Sequence, residues 1–287
     1  MPGRTSREQV LKSSRSYYSH RARYRDLFDQ LKGKDPDTDK EMRFIESAFS
    51  RNAKRRVRDV LDVACGGGRH VVALAKRGYN CVGYDFTPQR IRAAKARASR
   101  MKVRVKLAVG DATKMKFDKN FDAVLACYIL FLLPNDGDIE KCLSGAYKAL
   151  RDGGIVICSL YNPFTTGKNW ILAGARNETL NEEQTAPGMR ITEIQSTRDY
   201  DPVKGVVWIN WTTFIEAPDG QHVFRDQERA RLLTYWDMVH YLRAAGFGNI
   251  ECYPDWRIRP TKKPKAEQLV FVARKDLHAA KKAATVS

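Results

Sequence analysis

Apolar and polar positions follow three successive rhythms along the chain. Over residues 7–31, Tyr17, Tyr18, Tyr24, Leu27, Phe28 and Leu31 recur at near-helical spacing, until Lys32-Gly33-Lys34-Asp35-Pro36 breaks the pattern. A second helix is expected over 37–55, with Met42, Phe44, Ile45 and Phe49 inward. From 57 to 160, short β-branched runs alternate with helical segments. Strands are expected at 57–63, 81–84, 103–109, 121–130 and 155–160. Repeated strand–helix units imply a parallel sheet covered by helices on both faces.

After Tyr161 the rhythm changes. An irregular connection over 163–188 precedes three antiparallel strands at 190–200, 206–216 and 221–233, with turns at Asp201-Pro202-Val203-Lys204-Gly205 and Pro218-Asp219-Gly220. The middle strand is apolar on both faces. Val207, Ile209, Trp211 and Ile215 line one, and Val206, Trp208 and Phe214 the other, so it needs cover from the main domain, a substrate or a second subunit. A helix over 235–245 and strands at 250–253 and 268–273 follow. The expected divisions are a helical cap (1–56), a core (57–160), an antiparallel excursion (161–234), a return to the core (235–275) and a basic tail (276–287).

Within the core, Val60-Leu61-Asp62-Val63-Ala64-Cys65 runs straight into Gly66-Gly67-Gly68, and a helical pattern starts at once. A backbone without Cβ tolerates φ > 0 and lets a ligand approach closely. The helix behind it presents unpaired N–H groups and the positive end of its dipole. This is a nucleotide-type cradle. Asp85 ends the second strand about 20 residues past the turn, where an acid can accept ribose hydroxyls. Phe86 follows it, and Asp111 ends the third strand within reach of a base. Either acid alone could be a turn or N-cap residue, but acids at three successive strand ends, Asp62, Asp85 and Asp111, converge on one crevice.

These segments as a set resemble the class I S-adenosylmethionine-dependent methyltransferases. Val60 to Gly68 is similar to their first motif. Gly83-Tyr84-Asp85-Phe86, Gly110-Asp111-Ala112, Phe121-Asp122-Ala123-Val124 and Leu150-Arg151-Asp152-Gly153-Gly154 match the later ones in order. A dehydrogenase fits less well, because no GxGxxG run is present. The resemblance implies a Rossmann-like seven-stranded sheet (α/β class) with N-terminal helices and an antiparallel β excursion after strand five. It implies S-adenosyl-L-methionine as cofactor, with Ala64 and Gly66 at its amino-acid portion, Asp85 at the ribose, Phe86, Asp111 and Ala112 at adenine, and Cys127 beside the methionine chain. Asp62 belongs to the same set. Ala64 stands where the family usually has its first glycine. The tyrosine-rich helices and the excursion resemble, more narrowly, glycine/sarcosine N-methyltransferases and sugar N,N-dimethyltransferases, which implies that Tyr24, with Tyr18 beside it, closes over the cofactor. The run Tyr128-Ile129-Leu130-Phe131-Leu132-Leu133 lacks the polar or histidine residue common in that branch, which leaves Tyr128 and Tyr161 as acceptor-positioning candidates.

Composition adds bounds. At 287 residues the chain can bury a full core. The six cysteines are scattered without a CxxC pair, and the five histidines hold no metal-spaced pair, so no metal site is expected. Neither a secretory leader nor a bilayer-length apolar run is seen, so a reducing, cytoplasmic setting and no membrane partner are expected. The formal charge of +18 is unusual, and eight Lys or Arg stand between Gln89 and Lys106 without an acid. The expected function is methylation of a small-molecule acceptor, an amine. The rival is an RNA or protein methyltransferase that uses the basic surface. Homodimerisation through the 206–216 strand is a further expectation.

Overall fold

The computed structural model describes residues 6–32, 36–164, 180–258 and 266–276. Gly33-Lys34-Asp35, the basic Lys262 to Lys265 and residues 277–287 of the expected tail lie outside the described residues.

Two helices, α1 (Arg7–Lys32) and α2 (Pro36–Asn52), precede the sheet. Then follow β1 (Asp59–Val63), α3 (Arg69–Lys76), β2 (Asn80–Asp85), α4 (Pro88–Arg100), β3 (Lys106–Val109), β4 (Phe121–Cys127), α5 (Asp136–Ala149) and β5 (Leu150–Tyr161). The excursion comprises β6 (Leu180–Ala186), β7 (Met189–Asp201), β8 (Val206–Ala217) and β9 (Gly220–Arg231). Finally α6 (Tyr235–Ala244), β10 (Gly248–Pro254) and β11 (Gln268–Arg274) complete the core.

Seven strands form one sheet in the order β10-β11-β5-β4-β1-β2-β3, in which β11 is antiparallel to β5 and β10, and the rest pair in parallel. The order reverses between β1 and β4, and at such a switch point the carboxyl ends of the strands open a crevice. The central strands are buried on both faces; every residue of β4 is buried. One core layer, with Leu61, Val124 and Val156, packs against α5 and α6. The other, with Val60, Leu125 and Ile157, packs against α2 and α3.

Strand four stops at Cys127, not at 130 as the apolar run predicts. Tyr128 takes φ 58° and breaks the extended backbone, and a single 3₁₀ turn at Leu130–Leu132 precedes Pro134. Strand three starts at Lys106, and Lys102 at φ 53° separates it from α4. The excursion is a four-stranded sheet, β6-β7-β8-β9, one strand more than the pattern predicts. β6 falls within the stretch read as irregular; its sequence, LNEEQTA, is too polar to announce a strand. It is recruited by pairing with β7.

The inner face of the excursion supplies Val207, Ile209 and Ala230 to the main core, and α1 lies across it. A satellite core of Tyr24, Phe28, Met189, Ile191 and Ile215 fixes that contact. The outer face is closed over Trp208 by Arg198, whose guanidinium lies 5.5 Å from the ring, while Phe214 and Val223 stay exposed. Long basic stems can cover apolar surface in this way while their charge stays in water.

Candidate functional site

The glycine turn sits at the switch point. Ala64 (φ 57°), Gly66 (φ 54°) and Gly68 (φ 81°) all take left-handed backbone, and Cys65 N–H donates to the Tyr84 carbonyl at 3.0 Å. A Cβ on Gly67 would meet nothing within 4 Å, so space lies open over the turn. A Cβ on Gly68 would lie 3.0 Å from the Ala94 Cβ of α4. The turn is thus pressed against a helix on one side and open on the other, which fits a ligand whose backbone-facing part must come close.

Asp85 ties the two strand ends together. One carboxylate oxygen accepts from Gly66 N–H at 3.1 Å, and the other from Thr87 N–H at 2.8 Å. Asp111 accepts from both the Thr113 N–H and hydroxyl at 2.8 Å, and Arg7 approaches its second oxygen to 3.6 Å. Burial raises the Asp111 pKa, but those hydrogen bonds and the Arg7 charge outweigh it and hold the group below the usual carboxylate range. Both acids therefore serve their turns, and a carboxylate keeps lone pairs for further donors. Asp62 accepts from Val71 N–H at 3.2 Å in a fully buried position; burial pushes its pKa up to about 6. Phe86 is half-buried, with the Arg15 guanidinium 5.4 Å from its ring. Ala112 and Cys127 are buried at the ends of this row.

Tyr128 is the hub of a second cluster. Its hydroxyl lies 3.1 Å from Glu41 Oε1 and 2.8 Å from Gln268 Oε1, and accepts from the Trp256 indole N–H at 3.1 Å. Glu41 Oε2 is bound at 2.6 Å by both His70 and Arg69. Burial works against the Glu41 carboxylate, yet the His70 and Arg69 contacts keep its pKa below the ordinary value. The Tyr128 hydroxyl is committed to this network, and burial drives its pKa well above the usual range. What it turns toward Tyr161 is its ring, at 5.8 Å.

The tyrosines of α1 divide. Tyr24 packs in the satellite core against His222 and Phe224, away from the glycine turn. Tyr18 lies under the Arg90 guanidinium, 4.8 Å from its ring, and that guanidinium lies 3.3 Å from where a Gly66 Cβ would be. Tyr18 and not Tyr24 is therefore brought to the turn. Arg90 stands among the eight Lys or Arg between Gln89 and Lys106, and its local signal in the sequence is its place in the first turn of α4, just after Asp85. Glu228 of β9 carries no local signal in the sequence. It is 1% exposed and faces Tyr18, Arg21, Arg90 and Trp211.

Among the described residues no group of His, Cys, Asp and Glu could hold a metal ion, and no helix is long and apolar enough to cross a membrane.

Comparison with known proteins bears on the core. A family model described as a methyltransferase domain matches residues 60–154, one third of the chain. A Geobacillus sp. protein whose name carries the word methyltransferase and no acceptor is 25% identical over 81% of this chain and 90% of its own length. A demethylmenaquinone methyltransferase of Thermus thermophilus is 31% identical over 48% of this chain; the match spans only 61% of that relative. Among solved structures, an S-adenosylmethionine-dependent methyltransferase from Clostridium acetobutylicum superposes with TM-score 0.71 at 17% identity, over 88% of this chain and 98% of that one. A sugar N-methyltransferase from Streptoalloteichus sp. does so with TM-score 0.63 at 19% identity, over 88% and 92%. The structures share the fold. With the domain match lying on the glycine turn and the acids at the strand ends, the chain is an S-adenosylmethionine-dependent methyltransferase.

Proposed function

We propose that the protein methylates a small-molecule amine, held between the carboxyl ends of the core strands and the inner face of the antiparallel excursion. When bound, S-adenosylmethionine supplies a methyl group on a sulfonium centre, open to in-line displacement. The open side of the Ala64–Gly68 turn takes its amino-acid portion, with Asp62 holding the start of α3 and Cys127 beside the methionine chain. Asp85 accepts from the ribose hydroxyls with the lone pairs its two backbone donors leave. Phe86, Asp111 and Ala112 hold adenine. Tyr18, carried by α1, takes the closing role that the resemblance gives to Tyr24.

The observation that carries the amine reading is the committed Tyr128. The position after β4, where a histidine would serve hydroxyl activation, holds a tyrosine whose hydroxyl is tied to Glu41, Gln268 and Trp256. A neutral amine needs positioning and exclusion of water more than a strong base, and the Tyr128, Tyr161 and Phe131 rings supply an aromatic wall for that. The sugar N-methyltransferase among the structural neighbours is consistent with it. The 1–56 helices act as cap, 57–160 with 235–275 as core, and 161–234 as the acceptor-facing excursion.

Calorimetry with S-adenosylhomocysteine tests the cofactor assignment. Asp85→Ala should lose at least about tenfold in affinity, the worth of a charge-assisted hydrogen bond. Unchanged affinity would remove Asp85 from the site. A tritiated-methyl screen of small amines against matched alcohols tests the acceptor class, and labelling of alcohols alone would overturn it.

A further inference from the structure

Between α1 and the inner face of the excursion lies a polar cluster that meets the proposed cofactor site only through Tyr18. Register places Glu228 opposite Ile209 and Asp226 opposite Trp211, so both acids point inward with Trp211 and Thr213. A buried apolar sheet face would ordinarily carry no carboxylate there, because an ionised group loses its hydration. α1 answers with a row of its own. Arg21 binds Thr213 and Glu193, while Ser16 and His20 bind Asp226 at 2.9 and 3.0 Å. Tyr18 hydrogen-bonds toward Glu228.

Two atoms in this cluster have no hydrogen-bond partner among the described residues. Glu228 Oε1 is buried without a hydrogen bond, and so is Arg21 Nη1. They are of opposite kind, one acceptor and one donor. Orphaned buried polar atoms are rare and costly, and such a pair marks a place where a polar ligand group belongs. The place is linked to the methyl donor's site by contact. The Arg90 guanidinium bridges from Gly66 to the Tyr18 ring, and Tyr18 leads to Glu228.

We infer that Glu228 is the acceptor-binding carboxylate, whose Oε1 accepts the N–H of the amine and takes its proton, while Arg21 Nη1 donates to an oxygen of the same molecule. This rests on the amine reading above. In the transfer step the nitrogen lone pair forms the N–CH₃ bond as the S–CH₃ bond breaks. The sulfonium's bonding pair stays on sulfur as a thioether, and the proton leaves nitrogen for Glu228. Burial supports the proton transfer, since it pushes the Glu228 carboxyl up to about 7 and would push a buried ammonium down, so the two approach balance. The groups that face Glu228 and bias its ionisation are Tyr18 and Arg21 of α1, Arg90 of α4 and Trp211 of β8.

The test uses the full chain with saturating S-adenosylhomocysteine. Binding of benzylamine and glucosamine, and of benzyl alcohol and glucose, is measured by calorimetry for the wild type, Glu228→Gln and Glu228→Asp. Tritiated methyl transfer to the same four compounds is followed against pH. The inference expects the wild type to prefer an amine, with kcat/KM falling below a midpoint near pH 7. Glu228→Gln should lose amine affinity by about tenfold or more and lose that acid limb, with S-adenosylhomocysteine affinity unchanged. Glu228→Asp should recover part of both. If Glu228→Gln keeps the amine preference and the limb, the inference falls while the amine reading stands. An equal loss of S-adenosylhomocysteine affinity would mark Glu228 as structural and overturn it too. A wild type that neither binds nor methylates either amine overturns the amine reading and this inference with it.

Discussion

At the scale of single residues, the site is built from groups held where they would not choose to be. Gly68 combines φ 81° with a Cβ position 3.0 Å from Ala94. Gly68→Ala should therefore cost about 2 kcal/mol or more, from left-handed strain plus overpacking against α4, and should weaken cofactor binding. Ala64 already bears such strain at φ 57°. Ala64→Gly should leave stability within about 1 kcal/mol of the wild type and binding intact, since relief of strain offsets the entropy of glycine; urea melts and calorimetry read both. Glu228 makes a different prediction. Its folded pKa of about 7 lies above its ordinary value of 4.5, so the stability linked to its proton is complete below pH 4.5 and lost as pH rises through 7. Glu228→Gln should then be more stable than the wild type at pH 8, by up to roughly 3 kcal/mol, with the advantage shrinking toward pH 5. Urea midpoints at the two pH values check it, and an advantage that grew toward low pH would contradict the sign. Asp85 and Asp111 were legible because strand-end position is a local signal. Glu228 and Arg90 were not, because their meaning comes from α1, a helix about 70 residues distant from Arg90 in sequence and about 200 from Glu228.

Among the elements, α1 does most to assemble the site, and it is held by charge. Arg7 grips the buried Asp138 at 2.8 Å and reaches Asp111, which fixes the start of α1 beside the end of β3. Arg97 and Arg100 of α4 pair with Asp29 and Asp26 of α1. Part of the basic run between Gln89 and Lys106 is thus an intramolecular clasp. Arg7→Met should destabilise by about 1–2 kcal/mol, because the buried Asp138 loses the Arg7 Nε–H that its two carboxylate oxygens share and is left with the Asn135 amide, the exposure of Arg7 moderating the loss. It should also lower cofactor affinity and speed proteolysis within α1. Arg97→Ala should cost less than about 1 kcal/mol, because Asp29, half-exposed at the surface, is solvated when its partner is removed. Equal effects from the two would show that the anchoring is not specific to Asp138. The alternating core elements were legible because each carries its own periodicity. β6 was not, because a polar edge strand takes its conformation from β7, and the end of β4 was not, because an apolar run does not announce the left-handed Tyr128 that breaks it.

For the whole molecule, the two ends of the sheet divide the work. The carboxyl ends carry the proposed methyl-donor site, and the amino ends carry a cleft of about 640 Å³ lined by Arg55, Arg56, Arg58 and Arg77. Arg55 is engaged by Asp122 at 2.7 Å, and Arg77 by Glu46 at 3.4 Å. With a net charge of +18 the molecule attracts polyanions through its whole field, whatever its acceptor. If RNA associates through this cleft, it does so across the sheet from the cofactor. Binding to poly(U) should then fall steeply with salt, and the Arg56→Glu/Arg58→Glu pair should reduce the slope of log K against log salt by roughly 1.4, at ~0.7 per phosphate contact. S-adenosylhomocysteine affinity should not change in that variant, and poly(U) should leave methylation of a small amine unaffected. An RNA methyltransferase makes the opposite demand, because its polyanion must reach the methyl donor. Labelled methyl groups recovered on the RNA, with poly(U) competing against the amine, would move the acceptor from the excursion to the basic surface.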